Sequence, residues 1–409
     1  MKKLMLTGIA LCLLLKVSAQ DYSASVGSGT ITTINQDNGR SGDPVRSKNY
    51  SKTFPADRND KVVLSNQFGS MIIRTWDKKE VKIDVVVKAY SSNEGDSQRM
   101  IDGVNVSIEK SGDQISGRTT MGNDSFNNNS GRRKREINVE YTVYLPATNS
   151  LTLSQQFGSV NMADFAGPLY AKVQYGNFTA GNLSNTNNYL SVQYGNGNIG
   201  EINKAVIKQQ YGSGLVIGTV GTLDLNAQYA GVTINTIKGD AQIKQQYGSG
   251  LKIGTVNNLT LNAQYANVQL TTVKGDAQIK QQYNNLSIGS VDKIGLSAQY
   301  AGVTIGNLRG DGTFKTSYHS FKIAEVGAGC KNLSIDADYA DVNLGFADNY
   351  NADFTVDKNY GGFKYSGRVS ARSTSEKESS SSKNYIGKIG NGGSGNIRVK
   401  SDYGSVTFR

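Results

Sequence analysis

Apolar and polar residues alternate strictly along most of this chain, in short runs separated by small residues. In Leu259-Thr260-Leu261-Asn262-Ala263-Gln264-Tyr265 every second position is apolar, and after Ala266-Asn267 the alternation resumes with Val268 and Leu270. A period of two predicts strands, because successive strand side chains point to opposite faces. The runs also recur. Lys-Gln-Gln-Tyr stands at Lys208 to Tyr211, Lys244 to Tyr247 and Lys280 to Tyr283, 36 residues apart each time. Between these copies lie Asn226-Ala227-Gln228-Tyr229-Ala230 and Asn262-Ala263-Gln264-Tyr265-Ala266, with Ser297-Ala298-Gln299-Tyr300-Ala301 following. The unit is therefore half as long, about 18 residues.

Two short strands per 18 residues, joined by bends, predict one coil of an all-β, parallel β-helix-like solenoid. No coil can bury its inner face alone, so each stacks on the next at ~4.8 Å, with parallel strands sharing hydrogen bonds. The aromatic marks the coils: Phe157, Tyr175, Tyr194, Tyr211, Tyr229, Tyr247, Tyr265, Tyr283, Tyr300 and Tyr318 fall 17 to 19 residues apart, then Tyr339 and Tyr360 at intervals of 21. Gln67-Phe68-Gly69 and Asp402-Tyr403-Gly404 are outlying copies. About thirteen coils would make a rod on the order of 60 Å long.

Three columns beside the aromatic carry further expectations. The residue before it is Gln156, Gln174, Gln193, Gln210, Gln228, Gln246, Gln264, Gln282 and Gln299, an outer-face column able to pair amide to amide as in cross-β stacks. Two positions before it, Gln209, Gln245 and Gln281 alternate with Ala227, Ala263 and Ala298 on the inner face, which predicts size compensation between coils. Three before it, Lys208, Lys244 and Lys280 alternate with Asn226, Asn262 and Ser297. Lysines are thus two coils apart, roughly 9.6 Å, where stacking on adjacent coils would set like charges together. The parity of the tyrosine column matches the inner leucines, so it is expected to form a stacked corner of the core; an exposed carbohydrate-binding stripe is the alternative.

Outside the repeats, Met1-Lys2-Lys3, the apolar run Leu4 to Leu15 and Val17-Ser18-Ala19 fit a secretory signal peptide over 1–19, cleaved before Gln20. A lipoprotein reading of Cys12 is disfavoured by Leu11 before it. The remaining organisation reads as a polar N-terminal arm at 20–53, N-terminal coils and a cap with an inserted loop at 54–150, and solenoid repeats at 151–409 with a serine-rich loop at 366–383, expected to be disordered. Within the insertion from Ser91 to Glu136, a short helix is expected around Asp96 to Ile101, a strand around Val104 to Ile108, and a polar loop ending in Arg132-Arg133-Lys134-Arg135, for which a solvated loop competes with a contact to an acidic polymer or lipid surface. Valine-rich Val81 to Val87 and Ile137 to Leu145 predict longer strands capping the first coils, since open solenoid ends invite end-to-end association.

Composition narrows the chemistry. One histidine among 409 residues excludes sites needing two or three imidazoles, and two cysteines, of which cleavage would leave Cys330, exclude a disulfide framework or cysteine-rich zinc module. No catalytic, cofactor-binding or metal-binding residue is assigned. Arg309-Gly310-Asp311 spells the integrin-binding tripeptide, yet it repeats a turn seen as Lys238-Gly239-Asp240 and Lys274-Gly275-Asp276, and a structural turn is the favoured reading. His319 has no nucleophile arrangement around it. Asp336, Asp338, Asp341 and Asp348 form the densest carboxylate cluster, a calcium candidate that departs from the glycine-rich calcium-binding nonapeptide.

Phe54-Pro55 leading into Lys61-Val62-Val63-Leu64, then Gln67-Phe68-Gly69-Ser70, Ile72-Ile73, Trp76-Asp77, the QYG-like coils and the terminal Asp402-Tyr403-Gly404-Ser405-Val406 resemble the bacterial "putative adhesin" β-strand-repeat family. That is a domain-of-unknown-function group akin to the auto-transporter adhesin head (GIN) domain. The resemblance runs from about Phe54 to Arg409 and implies a right-handed parallel solenoid in an exported bacterial protein, without catalytic residues. Two functional classes follow. The first is a non-enzymatic, adhesin-like binding or structural protein of the cell envelope, located in the periplasm, on the outer membrane surface or outside the cell. The net charge of +11, or +8 without Lys2, Lys3 and Lys16, favours anionic glycans or another envelope component as partner and gives no sign of nucleic acid. The second is a polysaccharide lyase or hydrolase on a β-helix scaffold, for which only the Asp336 to Asp348 region offers carboxylates.

Overall fold

The computed structural model describes residues 30–34, 45–91, 93–122, 135–374 and 381–409. Eleven consecutive coils, with corners at Phe157 through Tyr339, form a β-solenoid whose coils lie about 18 residues apart. Neighbouring coils pair in parallel and in register: Leu223–Gln228 lies beside Ala241–Gln246, then Leu259–Gln264, then Ala277–Gln282. Three further aromatic corners, Phe68, Tyr403 and Tyr360, belong to the end structures. The expected coil repeat is present.

The 36-residue superperiod is a volume balance within each coil. Coils with a long inner glutamine read Ala205-Ile207-Gln209, Ala241-Ile243-Gln245 and Ala277-Ile279-Gln281 at the inward positions, and the coils between them read Leu223-Leu225-Ala227, Leu259-Leu261-Ala263 and Ile294-Leu296-Ala298. All of these side chains are buried. A large residue at one end of the strand is thus matched by alanine at the other, which keeps a narrow core filled without forcing strands apart. The buried glutamines have a hydrogen-bonding task as well. Gln209, Gln245 and Gln281 donate from Nε2 to the carbonyls of Gly195, Ala230 and Ala266, at 2.7, 2.8 and 3.0 Å, each at the corner one coil earlier. Gln155 does the same for Gly69 at 2.7 Å.

The N-terminal end is closed by a chain excursion. The strand Lys61–Gln67 stacks on Ser150–Gln156 and is covered on its other edge by Gln114–Met121. The next strand, Met71–Trp76, lies between Val160–Met162 and Arg135–Pro146. From there the sheet turns antiparallel through Glu80–Ser91, Val45–Pro55 and Thr30–Ile34, so the region read as a polar arm contributes two strands to the cap. The expected helix spans Glu94–Asp102, with the Asn93 side chain accepting from the N–H groups of Gly95 and Asp96. The expected strand follows at Val104–Ser111. Arg132, Arg133 and Lys134 lie outside the described residues.

At the C-terminal end, spatial order departs from chain order. The strand Asn396–Asp402 inserts between Asn332–Asp338 and Ala352–Asn359, parallel to both. The final strand Val406–Phe408 likewise lies between Val342–Phe346 and Phe363–Tyr365. The ring stack records the same order, Tyr339, Tyr403, Tyr360. Ala352–Asn359 is then covered by antiparallel Ser382–Ile389, which also pairs with Val369–Ser373. Within the serine-rich segment expected to be disordered, Val369–Ser373 and residues 382–383 are paired strand; residues 375–380 lie outside the described set.

Cys330 is buried at 1% exposure, and burial pushes its thiol up to about 11. Tyr141, hydrogen-bonded to Thr119 at 2.8 Å, is pushed up to about 12 by burial. Both groups are neutral in the folded chain and ionise more readily when unfolded. Their stabilisation is complete below the ordinary thiol range, about pH 8.5, and is lost as pH rises through the folded values. Midpoints of chemical denaturation should stay level from pH 6 to 8 and fall between pH 9 and 12. A thiol reagent at pH 8 should label Cys330 only after unfolding.

Candidate binding surface

Each coil turns at its aromatic. All fourteen corner rings, from Phe68 to Tyr403, sit on residues in the left-handed region, with φ between 48 and 61°. That conformation breaks the strand's alternation, so the side chain that parity would send into the core swings outward. The expected core corner is thus corrected: from Phe157 onward the rings are 39 to 56% exposed. They stack face to face in one continuous column, with centroids 4.4 to 5.4 Å apart and interplanar angles of 3 to 11°. Faces inside the column cover one another, which leaves ring edges and hydroxyls to solvent. A sugar-stacking stripe needs free faces, so the column's interior does not serve as one.

The column offsets its own backbone cost. A left-handed L-residue costs roughly 1–2 kcal/mol, and each stacked pair contributes about 0.5–1.5 kcal/mol beyond burial. Tyr229→Ala removes both stacks and keeps the cost, whereas Tyr229→Gly removes the cost too. Chemical denaturation should find the alanine variant about 1 kcal/mol less stable than the glycine variant; equal stabilities would contradict this reading. Close approach explains the small residue after the ring. A Cβ on Gly158 would lie 1.6 Å from the Gly69 carbonyl oxygen, and one on Gly176 1.9 Å from that of Gly158.

Beside the column runs the expected amide ladder. Each Nε2 donates to the Oε1 one coil on, from Gln156 through Gln174, Gln193, Gln210, Gln228, Gln246 and Gln264 to Gln282, at 2.5 to 3.0 Å. Next comes the lysine row, and it is longer than the sequence reading found. Strand register places Lys172, Lys208, Lys244, Lys280, Lys315 and Lys400 in one exposed line, with Ser191, Asn226, Asn262, Ser297 and Asp336 at the alternate coils. Lys172, Lys315 and Lys400 were legible from the aromatic spacing, three residues before Tyr175, Tyr318 and Tyr403. The place of Lys400 next to Asp336 was not, because only the inserted C-terminal strand puts it there. Two positions along the same face, Tyr170 and Tyr189 stack at 4.6 Å, with the ammonium groups of Lys172 and Lys208 near their rings at 5.3 and 5.9 Å.

The other residues singled out in the sequence resolve individually. The Asp311 carboxylate accepts from the Asn332 side chain at 3.0 Å and from the N–H groups of Lys331 and Asn332 at 2.7 and 2.8 Å, which holds its carboxyl below the usual carboxylate range. Arg309 donates to the Val273 carbonyl at 3.1 Å. That tripeptide is bound into the rod. His319 is exposed at a corner, its Nδ1 accepting from the Ser320 N–H at 2.8 Å. Asp336 and Asp338 lie on the outer face of one strand, and Asp341 accepts from the Ser405 N–H at 2.8 Å. The Asp348 carbonyl accepts from Arg368. Lys400 lies 3.9 Å from Asp336 and 3.4 Å from Asp402, with its ammonium raised by Asp402 first. Among the described residues no three of His, Cys, Asp and Glu are grouped to hold a metal ion, and no helix is long and apolar enough to cross a membrane.

No protein-family model and no curated protein matches the chain. Solved structures do align with it at low similarity. A "putative cell adhesion protein" from Clostridium sporogenes shares 10% identity over 88% of this chain and 98% of its own, with a TM-score of 0.18. A "putative adhesin" from Bacteroides fragilis shares 11% identity over 73% and 97%, with a TM-score of 0.20. A "putative lipid binding protein" from Parabacteroides distasonis shares 12% identity over 72% and 96%, with a TM-score of 0.24.

Proposed function

We propose that this chain is an exported, non-enzymatic rod of the bacterial cell envelope that binds anionic glycans along its lysine-bearing face. The carrying observation is the exposed lysine row, a single line of like charges held on a rigid parallel sheet. Rigid placement matters because surface charges contribute little one by one, about 0.2–1 kcal/mol, and useful affinity has to come from several engaging together. The signal-peptide reading adds the compartment: the exported protein should begin at Gln20, which N-terminal sequencing of the secreted or periplasmic fraction checks.

A panel of acidic and neutral polysaccharides, offered to the full chain at low salt, tests the reading. Acidic polymers should bind, weaken as salt rises, and leave neutral glucans behind. Failure of every acidic polymer to bind would overturn it. Polysaccharide cleavage would overturn the non-enzymatic part, above all if Asp338→Asn or Asp341→Asn abolished it.

A further inference from the structure

The lysine row has a period as well as a charge. Lysines occupy every second coil from Lys172 to Lys315, and the coils between carry the short Ser191, Asn226, Asn262 and Ser297. In the middle of the row the neighbouring outward positions repeat this relief, with Gln242 beside Lys244 and Gln278 beside Lys280, but Thr260 beside Asn262 and Gly295 beside Ser297; towards the ends they do not, since Tyr189 stands beside Ser191 and Thr313 beside Lys315. The face is thus corrugated. Ridges tipped by lysine alternate there with valleys floored by short polar side chains, and from Asn226 to Lys315 they line a shallow trough of about 730 Å³ that takes in Lys244, Lys280 and Lys315.

We infer that this face is a ruler for a linear acidic polysaccharide carrying one carboxylate per disaccharide, laid parallel to the rod axis. The inference rests on the glycan-binding reading above and deepens it. Two coils span roughly 9.6 Å, the length of an extended disaccharide, so each repeat places one sugar pair over a valley and one carboxylate beside a lysine. Matched periods let successive contacts form without bending the polymer, and each new contact is then intramolecular. A polymer with a charge on every sugar would set half its carboxylates over valleys that hold no cation.

The surrounding charges delimit the ruler. Lys400 extends the row, but it is flanked by Asp336 and Asp402, so the cationic stretch ends at Lys315. Asp224 lies on the neighbouring outward row between the Lys208 and Lys244 coils, and Asp240 and Asp276 stand four residues before Lys244 and Lys280 on their strands. These carboxylates confine an acidic chain to the lysine line. Five lysines over eight coil steps cover about 38 Å, which predicts that affinity climbs with oligomer length up to five disaccharides and then levels off.

The test keeps net charge constant and breaks the period. In Lys244→Asn/Asn262→Lys the lysine moves one coil, leaving gaps of three coils and one. Hyaluronan oligosaccharides, with one carboxylate per disaccharide, and oligogalacturonates, with one per sugar, are titrated at equal total charge against the native chain and the swap. The native chain should bind the hyaluronan decasaccharide more tightly than the galacturonate, and the swap should lose at least threefold for hyaluronan while changing less than twofold for galacturonate. Equal binding of both polymers, unchanged by the swap, overturns the ruler and leaves general glycan binding standing. Failure of both to bind the native chain overturns the ruler together with the reading beneath it. Thermal melting verifies the fold of the swap, and Lys208→Asn/Asn226→Lys gives the same comparison at a second place should the first be misfolded.

Discussion

Removing residues 396–409 is expected to unravel the C-terminal end of the rod, well beyond the residues deleted. Asn396–Asp402 and Val406–Phe408 fill the space between two coils that precede them in the chain. Ile397, Val399, Val406 and Phe408 are each 0% exposed, and the Phe408 ring meets Phe346, Phe354 and Phe363 edge-on at 5.1 to 5.3 Å. Without this segment, Asn332–Asp338 and Ala352–Asn359 each lose a parallel partner and an apolar layer, and the gap is too wide for them to pair directly. Ala352–Asn359 would keep only the antiparallel strand Ser382–Ile389. Limited proteolysis of the truncated chain should cut readily after Phe346, while the coils from Ser150 to Val326 keep their protection, since each repeat depends mainly on its neighbours. The milder Phe408→Ala should cost about 3–5 kcal/mol. A truncated chain as resistant beyond Phe346 as the native one would contradict the inserted order.

The second large effect is at a corner where glycine and buried glutamine meet. A Cβ on Gly248 would stand 2.2 Å from the Ala230 carbonyl oxygen and 2.2 Å from the Gln245 Nε2 that bonds to that oxygen. Alanine does occupy the equivalent place at Ala230, Ala266 and Ala301, and in those coils the inner residue two before the ring is Ala227, Ala263 or Ala298. Gly248→Ala alone should therefore cost more than about 3 kcal/mol, through a backbone clash and displacement of the glutamine. Gln245→Ala alone should cost about 2–4 kcal/mol, from the cavity and the orphaned carbonyl. Made together, the two should cost at least 1 kcal/mol less than the sum of the single changes, because the new methyl occupies space the amide vacated. Strict additivity in chemical denaturation would contradict the packing described for this corner.

Much of this architecture was legible because a solenoid writes its geometry into its period. Alternation in Leu259 to Tyr265 gave strand and inner face together, and the recurrence of Gln228, Gln246 and Gln264 implied a ladder of amides that the hydrogen bonds reproduce. Two things escaped. Tyrosine parity pointed inward because a pattern of two assumes extended backbone, and nothing in a tyrosine announces positive φ; the small residue after most rings, such as Gly176 or Ala230, was the available signal, with Asn284 and His319 the exceptions. The position of Lys400 escaped because a repeat gives the match between coils and leaves their spatial order open. The membership of the exposed row followed from spacing, Lys400 before Tyr403 included, but the approach of Lys400 to Asp336 required the inserted strand.

Affinity for a linear acidic polysaccharide, measured at low salt for the native chain and for a variant with Lys172, Lys208, Lys244, Lys280 and Lys315 all replaced by serine, tests the binding face most directly. Serine already stands in this row at Ser191 and Ser297, so the variant should fold and melt like the native rod. The native chain should bind, and the variant should lose at least about fivefold, the least expected from five contacts of roughly 0.2 kcal/mol each. Equal affinity of the two proteins for the acidic polymer would contradict the assignment of this face.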